Sequence, residues 1–287
     1  MKKFLCIFLM FHACAENQNN PKEVGSYESE RVVLSASDSI KVSEYWQKAN
    51  KLPLYSLERQ SYLDSALIVK PDSAYFWQQK AMPLYKERKY SLGKPYLEKA
   101  VLYNPKRYLD YSAFMKCLFS KEYQESIAEF KLVKELYGDG YVMDHTYNFY
   151  LALDYLQLNQ FENAKKYLLK SKEQQFKDFP NEPPEEACHY MDWFYLGVVE
   201  YELGNYIEAV KYFDLSLKVY TNFADALYYK GISLYKSGKS EEARKTMALA
   251  RENNQNTINE DQVYYVVYPY QVYHKLSPYS RKTIETK

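Results

Sequence analysis

The chain has 287 residues, 47 % of them apolar and 26 % charged, which is enough to bury the core of one large domain or two modest ones. Its 38 basic side chains are balanced by 37 acidic ones for a net charge of +1, so the basic excess that a nucleic-acid binder needs is absent. Only 8 glycines stand against 33 tyrosines, and neither GxGxxG nor GxxxxGK[ST] occurs, which speaks against phosphate-loop folds.

The first fifteen residues read MKKFLCIFLMFHACA. Lys2 and Lys3 supply a positive start, and Phe4 to Phe11 form an apolar run too short to span a bilayer but long enough for an export signal. The stretch Phe11-His12-Ala13-Cys14 resembles a bacterial lipoprotein box, which implies a signal peptide over 1–13 and lipidation of Cys14. Phe11 and His12 depart from the usual small and aliphatic residues of that box. Cleavage after Ala13-Cys14-Ala15 is the alternative, and it leaves a protein without a lipid. Polar residues follow from Ala15 to Lys22, so 14–39 reads as a flexible tether.

From residue 40 to 253 the chain repeats. A degenerate unit ends at Leu63, Ala66 and Pro71. Trp77, Ala81, Tyr90, Gly93, Leu97, Ala100 and Pro105 set the next frame, with Pro105 falling 34 residues after Pro71. Phe114, Tyr123, Ser126 and Phe130 fit it, then Leu151, Ala152, Tyr155, Phe161, Ala164 and Leu168. The clearest unit carries Trp193, Leu196, Gly197, Tyr206, Ala209 and Phe213, with helices expected near 191–203 and 206–220. The last unit repeats it 34 residues on, where Gly231, Gly238, Ala243 and Ala250 match Gly197, Gly204, Ala209 and Ser216.

These residues and spacings resemble the tetratricopeptide repeat (TPR) family. The resemblance implies an all-α, right-handed superhelical solenoid of five to six helix pairs, and, with the amino-terminal segment, a bacterial TPR lipoprotein. Each pair has an apolar face that only a neighbouring pair can cover. Small residues such as Gly197, Gly231, Ala81 and Ala152 belong where paired helices approach closely.

Three departures stand out. Pro83 lies inside a first helix and should kink it, and Pro95 lies in a second helix near its start. The repeat step stretches by about eleven residues around 172–189, where the acidic, proline-rich Phe179–Glu186 reads as a surface loop. Beyond residue 253 the character changes, and Val263–Tyr273 (VYYVVYPYQVY) is expected either to cap the last repeat or to dock a partner, within a tail of 254–287.

In TPR proteins the first helices line a concave groove. The frame places Tyr75, Tyr85, Tyr108, Tyr111, Phe149, Phe194, Tyr201, Tyr228 and Tyr235 there as candidate partner-binding residues. The groove is aromatic and lacks the repeated Lys/Arg and Asn positions that clamp a terminal carboxylate, so a longer apolar or aromatic segment of a partner protein suits it. The expected role is a protein-interaction scaffold of the cell envelope, at the outer membrane facing the periplasm. The alternative is a soluble periplasmic adaptor or accessory subunit for uptake or secretion.

Chemistry is poorly supported. Among four histidines there is no HExxH, and no GxSxG occurs. No catalytic residue, metal ligand or cofactor site is expected, and a helical-repeat hydrolase is the weakest reading. His145 reads as a surface histidine at a helix start, and Cys117 and Cys188 as unrelated thiols rather than a bridge.

Overall fold

The computed structural model describes residues 32–258 and 267–276. The signal segment, Cys14, most of the tether, residues 259–266 with the start of the aromatic strip, and the last residues of the tail lie outside that range. The described chain is built of helices: α1 Ala36–Asn50, α2 Leu57–Val69, α3 Ala74–Lys86, α4 Tyr90–Tyr103, α5 Pro105–Met115, a π-helical turn Lys116–Ser120, and α6 Tyr123–Tyr137. A two-residue hairpin follows, β1 Tyr141–Val142 paired antiparallel with β2 His145–Thr146. Then come α7 Tyr147–Gln157, α8 Phe161–Asp178, the single-turn α9 Pro184–Ala187, α10 Tyr190–Glu202, α11 Tyr206–Val219, α12 Ala224–Lys236, α13 Ser240–Glu252 and the short α14 Tyr273–Leu276. The first helix begins at Ala36, inside the stretch expected to be tether.

The long helices pack as consecutive pairs, α1 with α2, α3 with α4, α5 with α6, α7 with α8, α10 with α11 and α12 with α13. Each pair also packs on the next, which makes a stacked, solenoid-like, all-α architecture. The pairing follows local chemistry. Tyr90, Tyr123, Phe161 and Tyr206 are each the first residue of a second helix. The turn before each of them, and the turn before α13, holds a left-handed residue, in order Arg88 (φ 60°), Lys121 (61°), Asn159 (58°), Gly204 (80°) and Gly238 (85°). Only the last two units use glycine there, which is why the earlier turns are harder to read in the sequence.

Close approach within pairs requires the small residues. A Cβ on Gly197 would sit 2.6 Å from the ring of Phe213, and one on Gly93 2.7 Å from Tyr85. The main core runs from Ala81 through to Leu276, and a satellite core joins α1 and α2 to Phe76.

Pro83 removes the amide that would bond to the Gln79 carbonyl, yet α3 continues through it to Lys86. The buried Arg59 of α2 compensates: its Nη1 donates to the Gln79 carbonyl at 3.3 Å and its Nη2 to Gln79 Oε1 at 2.6 Å. The insertion at 172–189 lengthens α8 and adds α9. Its tip at 180–184 is exposed, but Ala187 and Cys188 are buried. Trp193 Nε1 donates to the Glu185 carbonyl at 3.0 Å and fastens α9 to α10.

Candidate protein-interaction site

The first helices of the pairs, α3, α5, α7, α10 and α12, present one face of the stack, and the nine aromatic candidates separate into three groups on it. Tyr85, Phe149 and Phe194 are fully enclosed and Tyr108 nearly so. Their rings pack in the helix layers. Phe194, for instance, stands edge-on to Phe223 at 5.2 Å and Tyr195 at 4.9 Å. Tyr85, Phe149 and Phe194 offer no surface to a partner and serve the core, whereas Tyr108, nearly enclosed, also lines the groove of the second group. The sequence frame places Tyr85, Phe149 and Phe194 in the groove because a 34-residue register does not say which flank of a first helix its neighbours enclose.

The second group lies at the amino-terminal end. Tyr75 and Tyr111, with Gln78, Arg107, Tyr141 and Met143, line an open groove of about 430 Å³ between α3, α5 and the hairpin. Tyr75 is 41 % exposed, and Met143 at the hairpin turn 57 %. Gln78 Nε2 donates to Tyr111 Oη at 3.4 Å, and Tyr141 Oη donates to Asp178 at 2.6 Å, so two phenols are held at the rim. Asp110 lies on the floor, where it accepts from Tyr147 Oη at 2.9 Å and from the Tyr111 amide at 2.7 Å. Burial pushes its carboxyl above the usual range despite those donors. The groove therefore combines aromatic faces with amide, guanidinium and phenol groups. The hairpin that forms one wall has no counterpart in the sequence reading, because two-residue strands leave no alternation to see.

The third group surrounds the carboxy-terminal segment 267–276. That segment lies against first helices. Tyr195 Oη of α10 donates to the Pro269 carbonyl at 2.8 Å, Tyr270 Oη donates to Glu202 of α10 at 2.6 Å, and the ring of Tyr270 lies 5.6 Å from Tyr229 of α12. Lys121, at the end of the π-helical turn, donates to the Val267 carbonyl at 2.8 Å. The π turn widens the end of its helix and Lys121 adopts a left-handed conformation at its close. Asp225, in the first turn of α12, accepts from the Val272 amide at 2.7 Å and the Ile258 amide at 2.8 Å. Tyr268, Val272 and Leu276 are buried in the main core. Tyr228 is half-buried beside Lys275, whose Nζ lies 5.4 Å from its ring, Tyr201 contacts Tyr229 at 5.9 Å, and Tyr235 projects outward at 66 % exposure. The described part of the tail thus runs over the faces of α10 and α12 and not only over the end of the last pair.

Both described cysteines are free and buried, and burial pushes both thiols up, far from a nucleophile's range. His145 is not a surface residue. It is buried, its ring stacked 4.1 Å from that of Phe149, and the fold brings it next to His189 and Asp192. No helix among the described residues is long and apolar enough to cross a membrane.

No protein-family model and no curated protein matches the sequence. Solved structures do. The fold is similar to that of PilW, a widely conserved type IV pilus biogenesis factor, with a TM-score of 0.56 and 16 % identity over 79 % of this chain and 97 % of that one. A tetratricopeptide repeat protein from Parabacteroides merdae gives 0.55 at 12 % identity, over 74 % and 78 % of the two chains. PilF of Pseudomonas aeruginosa gives 0.52 at 18 %, over 80 % and 96 %. At these identities the likeness establishes a TPR-like helical-repeat fold.

Proposed function

We propose that this protein is a non-catalytic adaptor of the cell envelope that binds an extended segment of a partner protein along its first-helix face. The observation that carries the reading is the open groove bounded by Tyr75, Gln78, Arg107, Tyr111, Tyr141 and Met143. Stacked helix pairs leave such a face as a continuous surface. Aromatic rings flanked by polar tips suit a segment that brings both side chains and backbone groups. The chain's own tail illustrates the chemistry further along: Lys121 and Tyr195 donate to the Val267 and Pro269 carbonyls, and Asp225 accepts from the Val272 amide.

The envelope assignment rests on the export-signal pattern of the first fifteen residues and on the fold shared with PilW, a type IV pilus biogenesis factor. Attachment through a lipid on Cys14, with residues up to the first helix as tether, is the anchored form of the same proposal. A soluble periplasmic adaptor is the other form, and metabolic labelling with a fatty-acid analogue separates them. Label on the wild type and none on Cys14→Ser supports the anchor.

Photo-crosslinking tests the groove. A crosslinking residue at Tyr75 or Tyr111 should trap a discrete envelope protein, and one at the exposed Ile207 of α11 should not. Equal trapping at both places, or trapping that survives the Tyr75→Ala/Tyr111→Ala pair with the crosslinker at Met143, would overturn the assignment of this face.

A further inference from the structure

His145 opens the second strand of the hairpin between the third and fourth helix pairs, and His189 and Asp192 open α10 beyond the insertion. The fold closes this separation of more than forty residues, so that one donor atom from each side chain lies within 4.8 Å of the others. We propose that these three side chains bind a single divalent transition-metal ion, zinc by the chemistry of the set.

Two imidazole nitrogens and a carboxylate oxygen form the borderline donor set that zinc takes at about 2.0–2.2 Å. A tetrahedral set at those bond lengths has donors about 3.3 Å apart, so the observed separation closes with small side-chain rotations. His145 and Asp192 are both almost wholly buried, and a surface ion atmosphere does not account for the cluster.

The surroundings are those of a supported ligand set. Ser171 of α8 donates its hydroxyl to Asp192 Oδ1 at 2.5 Å. The same hydroxyl lies 2.7 Å from Thr146 Oγ1 and accepts from Gln175 Nε2 at 3.2 Å. Outer contacts of this kind orient ligating carboxylates and are worth a large part of a site's affinity. The His145 ring is fixed by its stack on Phe149, and the His189 ring stands perpendicular to it with centroids 4.7 Å apart. The cap that His189 Nδ1 provides to the Met191 amide is long, at 3.3 Å, and is the contact given up if that nitrogen ligates.

The ion would keep a water as its fourth ligand and act as a structural clip. It joins the hairpin to the start of α10 across the insertion at 172–189, where the repeat register is broken although α8 and α10 still pack together. A metal clip closing a long loop gains stability from the restriction it imposes on the unfolded chain.

The test uses the full chain, stripped with a chelator and titrated with zinc chloride, with cobalt(II) as a spectroscopic probe. The expected result is one zinc per chain, a visible d–d band with cobalt, and a higher Tm with zinc. His189→Gln and Asp192→Asn should each weaken zinc binding by at least about 100-fold, and Ser171→Ala by about 10- to 100-fold, while His274→Gln leaves it unchanged. Circular dichroism checks that each variant is folded. His189 is only half-buried, so its replacement keeps the test meaningful if His145→Gln does not fold. Zinc uptake by wild type no greater than by the folded His189→Gln and Asp192→Asn variants, or a cobalt spectrum showing only aquo ion, would overturn the site and leave the three groups as a hydrogen-bonded core network.

Discussion

Asp225 is the point at which the aromatic tail is tied to the repeat body, and replacing it with alanine tests that tie. The carboxylate is fully enclosed and accepts from the amides of Val272 and Ile258, which are themselves buried. Asp225→Ala leaves two buried donors without an acceptor, at about 1–3 kcal/mol each. Relief from burying a carboxylate offsets part of this, so a net loss of roughly 2–4 kcal/mol is expected unless the tail lifts away and its amides find water. Either response leaves the Val272 amide without its acceptor. Native-state hydrogen exchange at that amide and urea unfolding together form the assay, with limited proteolysis of the tail as a third readout.

The carboxyl also makes a pH prediction. Burial pushes Asp225 up to about 7 from an ordinary 3.8, against the hydrogen bonds from Val272 and Ile258. The folded state therefore holds a proton that the unfolded chain releases between about pH 4 and 7. The contribution is fully present below the unfolded value and is lost as pH rises through 7, by on the order of 4 kcal/mol. Asp225→Asn keeps one acceptor, removes the titration and should flatten this part of the profile. An unchanged urea midpoint with a fully protected Val272 amide in Asp225→Ala would refute the tie. A pH profile shared by wild type and Asp225→Asn would refute the titration.

Gly197→Ala drives a methyl against the enclosed ring of Phe213 at 2.6 Å and should cost about 1–3 kcal/mol, whereas Gly231→Ala meets the flexible Met247 at 2.7 Å and should cost less; a reversed order of urea midpoints would contradict the packing. Arg88→Gly relieves a left-handed backbone at φ 60° and should raise stability by about 0.5–1 kcal/mol, with a smaller gain for Asn159→Gly because asparagine already tolerates that conformation. Lys116→Met strands the half-buried Glu129, which pairs with the buried Lys116 at 2.7 Å, and should cost about 1–3 kcal/mol, most of it recovered when Glu129→Leu is added. A double variant as unstable as the single one would mean that the loss is not that of an uncompensated charge.

The repeat was legible because its causes are local. Aromatics opening the second helices, small residues at helix crossings, and a regular step between Gly197 and Gly231 follow from helix geometry and close packing, and the helices fall where those residues place them. The earlier turns were fainter because Arg88, Lys121 and Asn159 hold the left-handed position that glycine marks later on. Pro83 is legible as a gap in the helix hydrogen bonding, but the Arg59 guanidinium that satisfies the freed Gln79 carbonyl is not, because it comes from the preceding pair.

Tertiary structure alone decided which aromatics are core and which are surface. Tyr75 and Phe149 both belong to first helices, but Phe149 is enclosed by neighbouring layers while Tyr75 opens on a groove. It also decided where the tail runs and what it touches, since Asp225, Tyr195 and Lys121 meet it from three different units. Finally, it brought His145 to His189 and Asp192. Periodicity reports the face of one helix toward its nearest neighbours, and these contacts depend on how several pairs stack, so the register could not carry them.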